Sequence, residues 1–345
     1  MGDGGMRAVF PGSEWERAAP GEVGLDADAL ERLGGWLGEN AGGQPFRVLV
    51  VRHGYLVAEW EQGLSTLDKR SLASAAKSVF SSVLGIAVAE GKIPSADAHV
   101  IDYYPEMMDV PKGLGPKEGR YAFPKDRNIT FRQLICNTSG YMKPGEEPGK
   151  IFHYQTFGMN ILTHALGTVY GVYDTNDPGE VPGFGKLIDR FIKEPIGGSW
   201  TYRYMNFEHA AGARINIFGN YCQMMIHARD MARLGLLWLN WGRWGDRQLI
   251  PEAWMREVSR TAPMIVENCP REQWEYGHGF WTNEHGLLWP DVPRETYAAL
   301  GAGKQAIWMC PSRDLVVVQG PGLYVKHDDE ICAHVLHAAY EAAVD

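Results

Sequence analysis

The chain has 345 residues, 45% hydrophobic and 22% charged, with a formal net charge of -9. That length exceeds what one hydrophobic core usually fills and predicts two lobes. The dispersed acidic excess, without any basic patch, excludes a broad nucleic-acid footprint, and no segment is long and uncharged enough to span a bilayer, so a soluble protein with no membrane partner is expected.

In chain order, Met1 to Arg7 lacks a charged region followed by an apolar stretch, so a cytoplasmic location is expected unless a leader has been removed. Leu25, Ala29, Leu33, Trp36 and Leu37 recur at helical spacing and predict a helix that Gly42 and Gly43 end. Two β-prone runs, 46–51 and 55–60, flank Arg52-His-Gly54, a spacing and turn chemistry that predict a hairpin. From Ser74 to Ala89 the residues Val79, Phe80, Val83, Leu84, Ile86 and Val88 leave almost no polar face, so this helix should be buried on most sides, with Gly91 ending it.

Between about Ile101 and Ser259 helical patterns mix with Gly, Pro and aromatic turns; the clearest helix runs over 228–240, with Met231, Leu234, Leu237 and Trp238 on one face. Strand patterns follow over 276–282, 305–309 and 315–319, and an amphipathic helix over 328–344 opens with three acidic residues that match its dipole. Strands at both ends of the chain predict an α/β sheet lobe built from residues 1–70 and 272–345. Residues 71–271 then form an inserted, mainly helical lobe, with the active site at the interface.

Five cysteines, Cys136, Cys222, Cys269, Cys310 and Cys332, are odd in number and widely spaced, so free thiols are expected. Cys332, His334 and His337 are close in sequence, but Cys332 and His334 would not share a helical face and no second ligand cluster is evident. No metal or other cofactor is expected.

Chemistry enters at Ser74 and Lys77. Residues three apart share a helix face, so hydroxyl and amine can come within hydrogen-bond reach. A serine needs an adjacent base, and a lysine can serve when burial leaves it a neutral amine. The helix N-terminus adds backbone N–H groups where negative charge develops during attack on a carbonyl. Such a pair also arises often by chance; this one stands at the mouth of an apolar helix, where an unpaired lysine is costly to bury.

Three stretches, Ser71-Leu-Ala-Ser74-Ala-Ala-Lys77-Ser-Val, Ile151-Phe-His-Tyr154-Gln-Thr156-Phe-Gly158, and Ala299-Leu-Gly301-Ala-Gly303-Lys-Gln305, occur in this order along the chain. Together they resemble the nucleophile segment, the Tyr-x-Asn segment and the Lys-Thr-Gly strand of the penicillin-recognising serine hydrolases. The likeness is to the class C β-lactamase-like esterases and the 6-aminohexanoate-dimer (nylon-oligomer) hydrolases in particular. Asn137-Thr-Ser-Gly140 is similar to a His-Thr-Ser-Gly loop and reads as scaffold.

The resemblance implies an α+β, β-lactamase/transpeptidase-like fold: an antiparallel sheet flanked by helices, plus an inserted mainly helical lobe. It implies that Ser74 attacks, Lys77 accepts its proton, Tyr154 relays a proton to the leaving group, and an acyl-enzyme is later hydrolysed by water. A phenol of pKa about 10 would need a nearby cationic Lys77 for that task. The backbone amides of Ser74 and Ala302 would hold the oxyanion.

Departures from the family pattern carry information. Ala299 and Leu300 stand where the family has Lys or His and then Thr, and Thr156 replaces the Asn. A cation that would meet a β-lactam or peptide carboxylate is missing there, which moves the expectation towards esters and short amides. Lys304 reads as a solvated lysine turned away by strand alternation, and Asp314 as a turn residue. Trp274, Trp281, Trp289 and Trp308 could wall an apolar pocket; the expected pocket residues are Thr156, Phe157, Tyr204, Trp281, Gly301, Gln305 and Trp308.

A Ser-His-Asp reading fails at Ser74, because Leu72 and Ala76 replace the glycines of a nucleophile elbow. His153, His209 and His278 are therefore read as packing or surface residues. The expected activity is hydrolysis of a small-molecule ester or amide through Ser74. Its rivals are acyl transfer by the same acyl-enzyme, a β-lactamase or D-peptidase, and a binding module without turnover. Substrate identity belongs to loops that no sequence pattern places, and no pattern specifies an oligomer.

Overall fold

The computed structural model describes residues 9–206, 215–321 and 329–344. Its main sheet has six antiparallel strands in the order β2-β1-β11-β10-β9-β8. Here β1 is Phe46–Arg52, β2 Tyr55–Gln62, β8 Trp281–Thr282, β9 Tyr297–Gly301, β10 Gln305–Cys310 and β11 Leu315–Gln319. First and last strands meet at the centre, with Val50 opposite Val317, so the sheet is closed by both ends of the described chain. The β1–β2 hairpin forms at the predicted turn, where His53 (φ 53°) and Gly54 (φ 84°) both take left-handed backbone, as a two-residue hairpin loop requires.

Alternation along these strands splits the core into two faces. Leu49, Val51, Ile307, Met309, Val316 and Val318 point to one side; Val48, Val50, Ala306, Trp308 and Val317 point to the other. The second face is covered by helix α1 (Ala27–Asn40), whose N-cap Asp26 accepts from Asp28 N and Ala29 N, and by the C-terminal helix Asp329–Glu341. On the first face lies the helix Ala228–Leu239, where a Cβ on Gly235 would stand 2.5 Å from Val316 Cγ1. Only glycine permits that approach. This helix falls within residues 71–271 yet packs on the sheet.

Beyond it lies α2 (Ala76–Ala89), with Ala76 through Ala87 all buried. Two of its three serines are satisfied inside the core: Ser78 Oγ donates to Gly279 O at 2.7 Å and Ser82 Oγ to Ser78 O at 2.9 Å. Helices α3 (Phe131–Ile135) and α4 (Phe157–Val169) pack around it.

One reading is corrected. The 276–282 segment is not one strand: Gly277 N bonds to Phe280 O at 2.8 Å and Gly279 takes φ 88°, so the chain turns and only Trp281–Thr282 joins the sheet. The inserted region also carries a three-stranded sheet, β3-β5-β4, built from β3 (Arg70–Ser71), β4 (Thr201–Met205) and β5 (Tyr221–Ile226). A two-stranded ribbon, β6 (Arg243–Trp244) with β7 (Arg247–Gln248), completes the strands. Among the described residues no helix is long and apolar enough to cross a membrane.

Candidate active site

The turn that carries Ser74 lies between the two sheets. β3 pairs with β5, Leu72 N donates to Met224 O at 2.9 Å, and the chain then enters a 3-10 turn, Ala73–Ala75, that runs directly into α2. Ala73 is held at φ 50°, with its N–H on Ser71 Oγ at 3.0 Å. Strain of this kind persists only where surrounding structure fixes it, and it aims Ser74.

Lys77, one turn on, is 1% exposed, and its Nζ lies 2.8 Å from Ser74 Oγ. Among the described residues no carboxylate offsets its charge; burial pushes its pKa from 10.5 down to about 7. As an ammonium it donates to the hydroxyl, and as a neutral amine it accepts the hydroxyl proton across the same contact.

Tyr154 sits on irregular chain before α4, and its placement comes from Asn137. Asn137 O accepts from His153 N at 2.9 Å and Asn137 Oδ1 from Gln155 N at 3.0 Å, so one buried asparagine grips the backbone on both sides of the tyrosine. Asn137 Nδ2 also donates to the Tyr276 hydroxyl at 3.2 Å. The Tyr154 ring lies against Tyr276 (5.7 Å, edge-on) and Trp281 (5.6 Å), with Lys77 Nζ 4.5 Å from its centroid. Burial pushes the phenol up to about 12, partly countered by its hydrogen bond with Ser74. Tyr154 is therefore a neutral donor in the resting site, not the easily ionised phenol that a cationic Lys77 would produce.

The third segment reaches the same point. A Cβ on Gly301 would lie 2.5 Å from Leu72 O, 3.0 Å from Ala75 N and 3.1 Å from Ser74 N, so β9 ends in contact with the nucleophile turn only because Gly301 has no side chain. Ala302 follows at the start of the β9–β10 turn. Ala299 is fully buried, and Leu300 contributes an apolar wall where the family pattern has a polar side chain.

Ser74 and Tyr154 open into a cavity of about 980 Å³. Of the expected pocket residues, Trp281, Gly301, Gln305 and Trp308 line it, as does Ala302. Thr156, Phe157 and Tyr204 are not among the lining residues. Thr156 stands at the N-terminus of α4, Phe157 packs edge-on against Phe218, and the Tyr204 hydroxyl accepts from Gly185 N at 3.0 Å. Trp289 joins the wall, edge-on to Trp308 at 6.4 Å. Trp274 donates instead to Cys269 O at 3.0 Å. Lys304 occupies a left-handed turn position (φ 53°) rather than a strand position, and it lines the cavity.

Glu275 and Asp291 also line it and went unread in the sequence, where neither stands in a motif; only the turn at Gly279 and the loop before β9 bring them to the site. The remaining candidates resolve elsewhere. Asp314 pairs with His53 at 2.7 Å, His153 with Glu146 at 3.1 Å, and buried His278 lies 2.8 Å from Arg132 Nη1. His209 and the Cys332 side chain lie outside the described residues. Cys136, Cys222, Cys269 and Cys310 are free thiols.

A Ser-His-Asp cluster does occur, at Ser199, His227 and Asp230, with Ser199 Oγ 3.0 Å from His227 Nε2. It cannot work as a triad. His227 Nδ1 accepts the Asp230 N–H at 3.0 Å, which leaves the neutral ring's proton on Nε2, facing the serine it would have to deprotonate.

Comparison with solved structures places this geometry in a known fold. A penicillin-binding protein homolog from Caulobacter crescentus superposes with a TM-score of 0.66 at 15% identity, covering 91% of this chain and 97% of that one. EstCE1, a hydrolase with promiscuous acyltransferase activity, gives 0.64 at 13% identity over 92% and 98%. A Bacillus anthracis protein assigned as a 6-aminohexanoate-dimer hydrolase gives 0.56 at 16% identity over 95% and 85%. At such identities the likeness is one of fold. No curated protein sequence matches. The Beta-lactamase family model, however, matches residues 46–319, from the first residue of β1 to the last of β11, and the chain belongs to that family of hydrolases.

Proposed function

We propose that the protein is a serine hydrolase of the carboxylesterase/amidase type, cleaving small carboxylic esters or short amides through an acyl-enzyme on Ser74. One observation carries the reading: Lys77 Nζ stands 2.8 Å from Ser74 Oγ, buried and with its pKa lowered to about 7, so a neutral base is in place at physiological pH. Lys77 takes the Ser74 proton as Oγ attacks, and the amides of Ser74 and Ala302 receive the oxyanion. Lys77 is then a cation beside the Tyr154 ring, which lowers the phenol's pKa at the moment the leaving group needs a proton. Tyr154 donates, the ammonium restores it, and water repeats the sequence on the ester.

The apolar Leu300 and buried Ala299 favour esters and amides over substrates with a carboxylate at that position. In a screen of p-nitrophenyl esters, short amides and nitrocefin we expect ester turnover and at most trace nitrocefin hydrolysis. Rapid nitrocefin turnover, or none with any class, would defeat the reading.

The pH dependence has a definite sign. Lys77 must be neutral, so kcat/KM should rise with pH through one ionisation near 7 and then stay level past pH 9, because Tyr154 holds its proton to about 12. A profile that falls between pH 7 and 9 would mean that the protonated lysine is the working form.

A further inference from the structure

Glu275 shares the cavity with Ser74 and Tyr154. Among the described residues its carboxylate has neither a hydrogen bond nor an ion pair, and partial burial raises its pKa. A carboxylate half withdrawn from water without a compensating charge is unfavourable unless something else supplies that charge.

Its place in the cavity is set by the turn at Gly279. Tyr154, which the proposed mechanism sets at the leaving group, packs its ring on Tyr276 and Trp281, and Glu275 directly precedes Tyr276, with its carbonyl accepting from Thr282 N at 2.9 Å. Glu275 therefore belongs to the leaving-group side. Trp281, Trp289 and Trp308 contribute aromatic faces to the wall, and the basic side chains that also line it are Lys304 in the β9–β10 turn and His334 and His337 on the C-terminal helix. Two further lining groups, Gln305 Oε1 and Gln319 Oε1, are buried acceptors without a partner, against one buried unpaired donor among the described lining residues, Trp308 Nε1. Carboxylate, indole faces and spare acceptors together match a cation, through charge pairing and cation–π attraction.

We propose that the cavity selects esters or amides whose leaving group carries an ammonium, held by Glu275 against the tryptophan wall. This rests on Ser74 being the acylated nucleophile. The test compares two esters of one short acid: the choline ester and the 3,3-dimethylbutyl ester, which has carbon in place of the quaternary nitrogen.

Wild-type kcat/KM should favour the choline ester by at least about tenfold, and Glu275→Gln should bring the ratio within about threefold. Added salt should lower kcat/KM for the choline ester alone, a readout that needs no variant. A ratio near one, a ratio that Glu275→Gln leaves in place, or no turnover of the choline ester overturns the inference while Ser74 still labels with a fluorophosphonate. If Ser74 also fails to label in folded protein, the hydrolase reading falls with it.

Discussion

Replacing Lys77 with methionine should stop turnover and, at the same time, make the protein harder to unfold. Methionine fills nearly the same volume without a charge, so the packing of α2 is kept while the base is lost. We expect kcat/KM to fall by about 10³–10⁴. The stability gain follows from linkage. Lys77 has a pKa of 10.5 when unfolded and about 7 when folded. The unfolded state therefore binds more protons between these values, and wild-type stability rises with pH across that window. Below about pH 7 the full cost of the buried ammonium is present, on the order of a few kcal/mol at about 1.4 kcal/mol per pKa unit. Lys77→Met removes that cost, so its Tm should exceed wild type by several degrees at pH 6 and by progressively less towards pH 10. Equal Tm values at pH 6 would mean that the lysine has a compensating partner.

The second large effect is a change in leaving-group dependence. Tyr154→Phe removes one hydroxyl and keeps the ring between Tyr276 and Trp281, so the fold and Tm should hold. On the proposed mechanism the phenol supplies the leaving group's proton, so kcat/KM for an alkyl ester or an amide should fall by about 10²–10⁴. A p-nitrophenyl ester leaves as a stable anion, and its loss should be far smaller. Similar losses on both substrates would assign Tyr154 to activation of Ser74 rather than to the leaving group.

How much of this was legible in the sequence follows from where information is local. β1, β2, β10 and β11 announce themselves because their apolar runs and the His53-Gly54 turn are properties of contiguous residues. The same holds for α2, where the lack of a polar face foretold burial. The β3-β5-β4 sheet did not show: β3 is two residues long, and β4, Thr201–Met205, has no buried residue to set an alternation.

Ser74 and Lys77 were readable because i,i+3 spacing fixes their contact across the continuous helical path from the 3-10 turn into α2. Tyr154 was reached by resemblance, since nothing periodic marks a residue on irregular chain. Its anchor, Asn137, read only as scaffold because its hydrogen bonds span residues distant in sequence. The pocket shows the same limit. Trp281 and Trp308 lie on sheet strands near Gly301, whereas Thr156 and Phe157 were drawn in by proximity to Tyr154, and α4 directs Phe157 into the core. Glu275 carries no sequence signal because the tight turn at Gly279 alone delivers it to the cavity.

The central claim is that Ser74 becomes acylated. Intact-protein mass spectrometry after treatment with a fluorophosphonate tests it directly. The account predicts one adduct per chain, located on Ser74, formed faster as pH rises through about 7 and absent from Ser74→Ala. Folded wild-type protein that takes up no adduct, or a Ser74→Ala variant that labels equally, would contradict it.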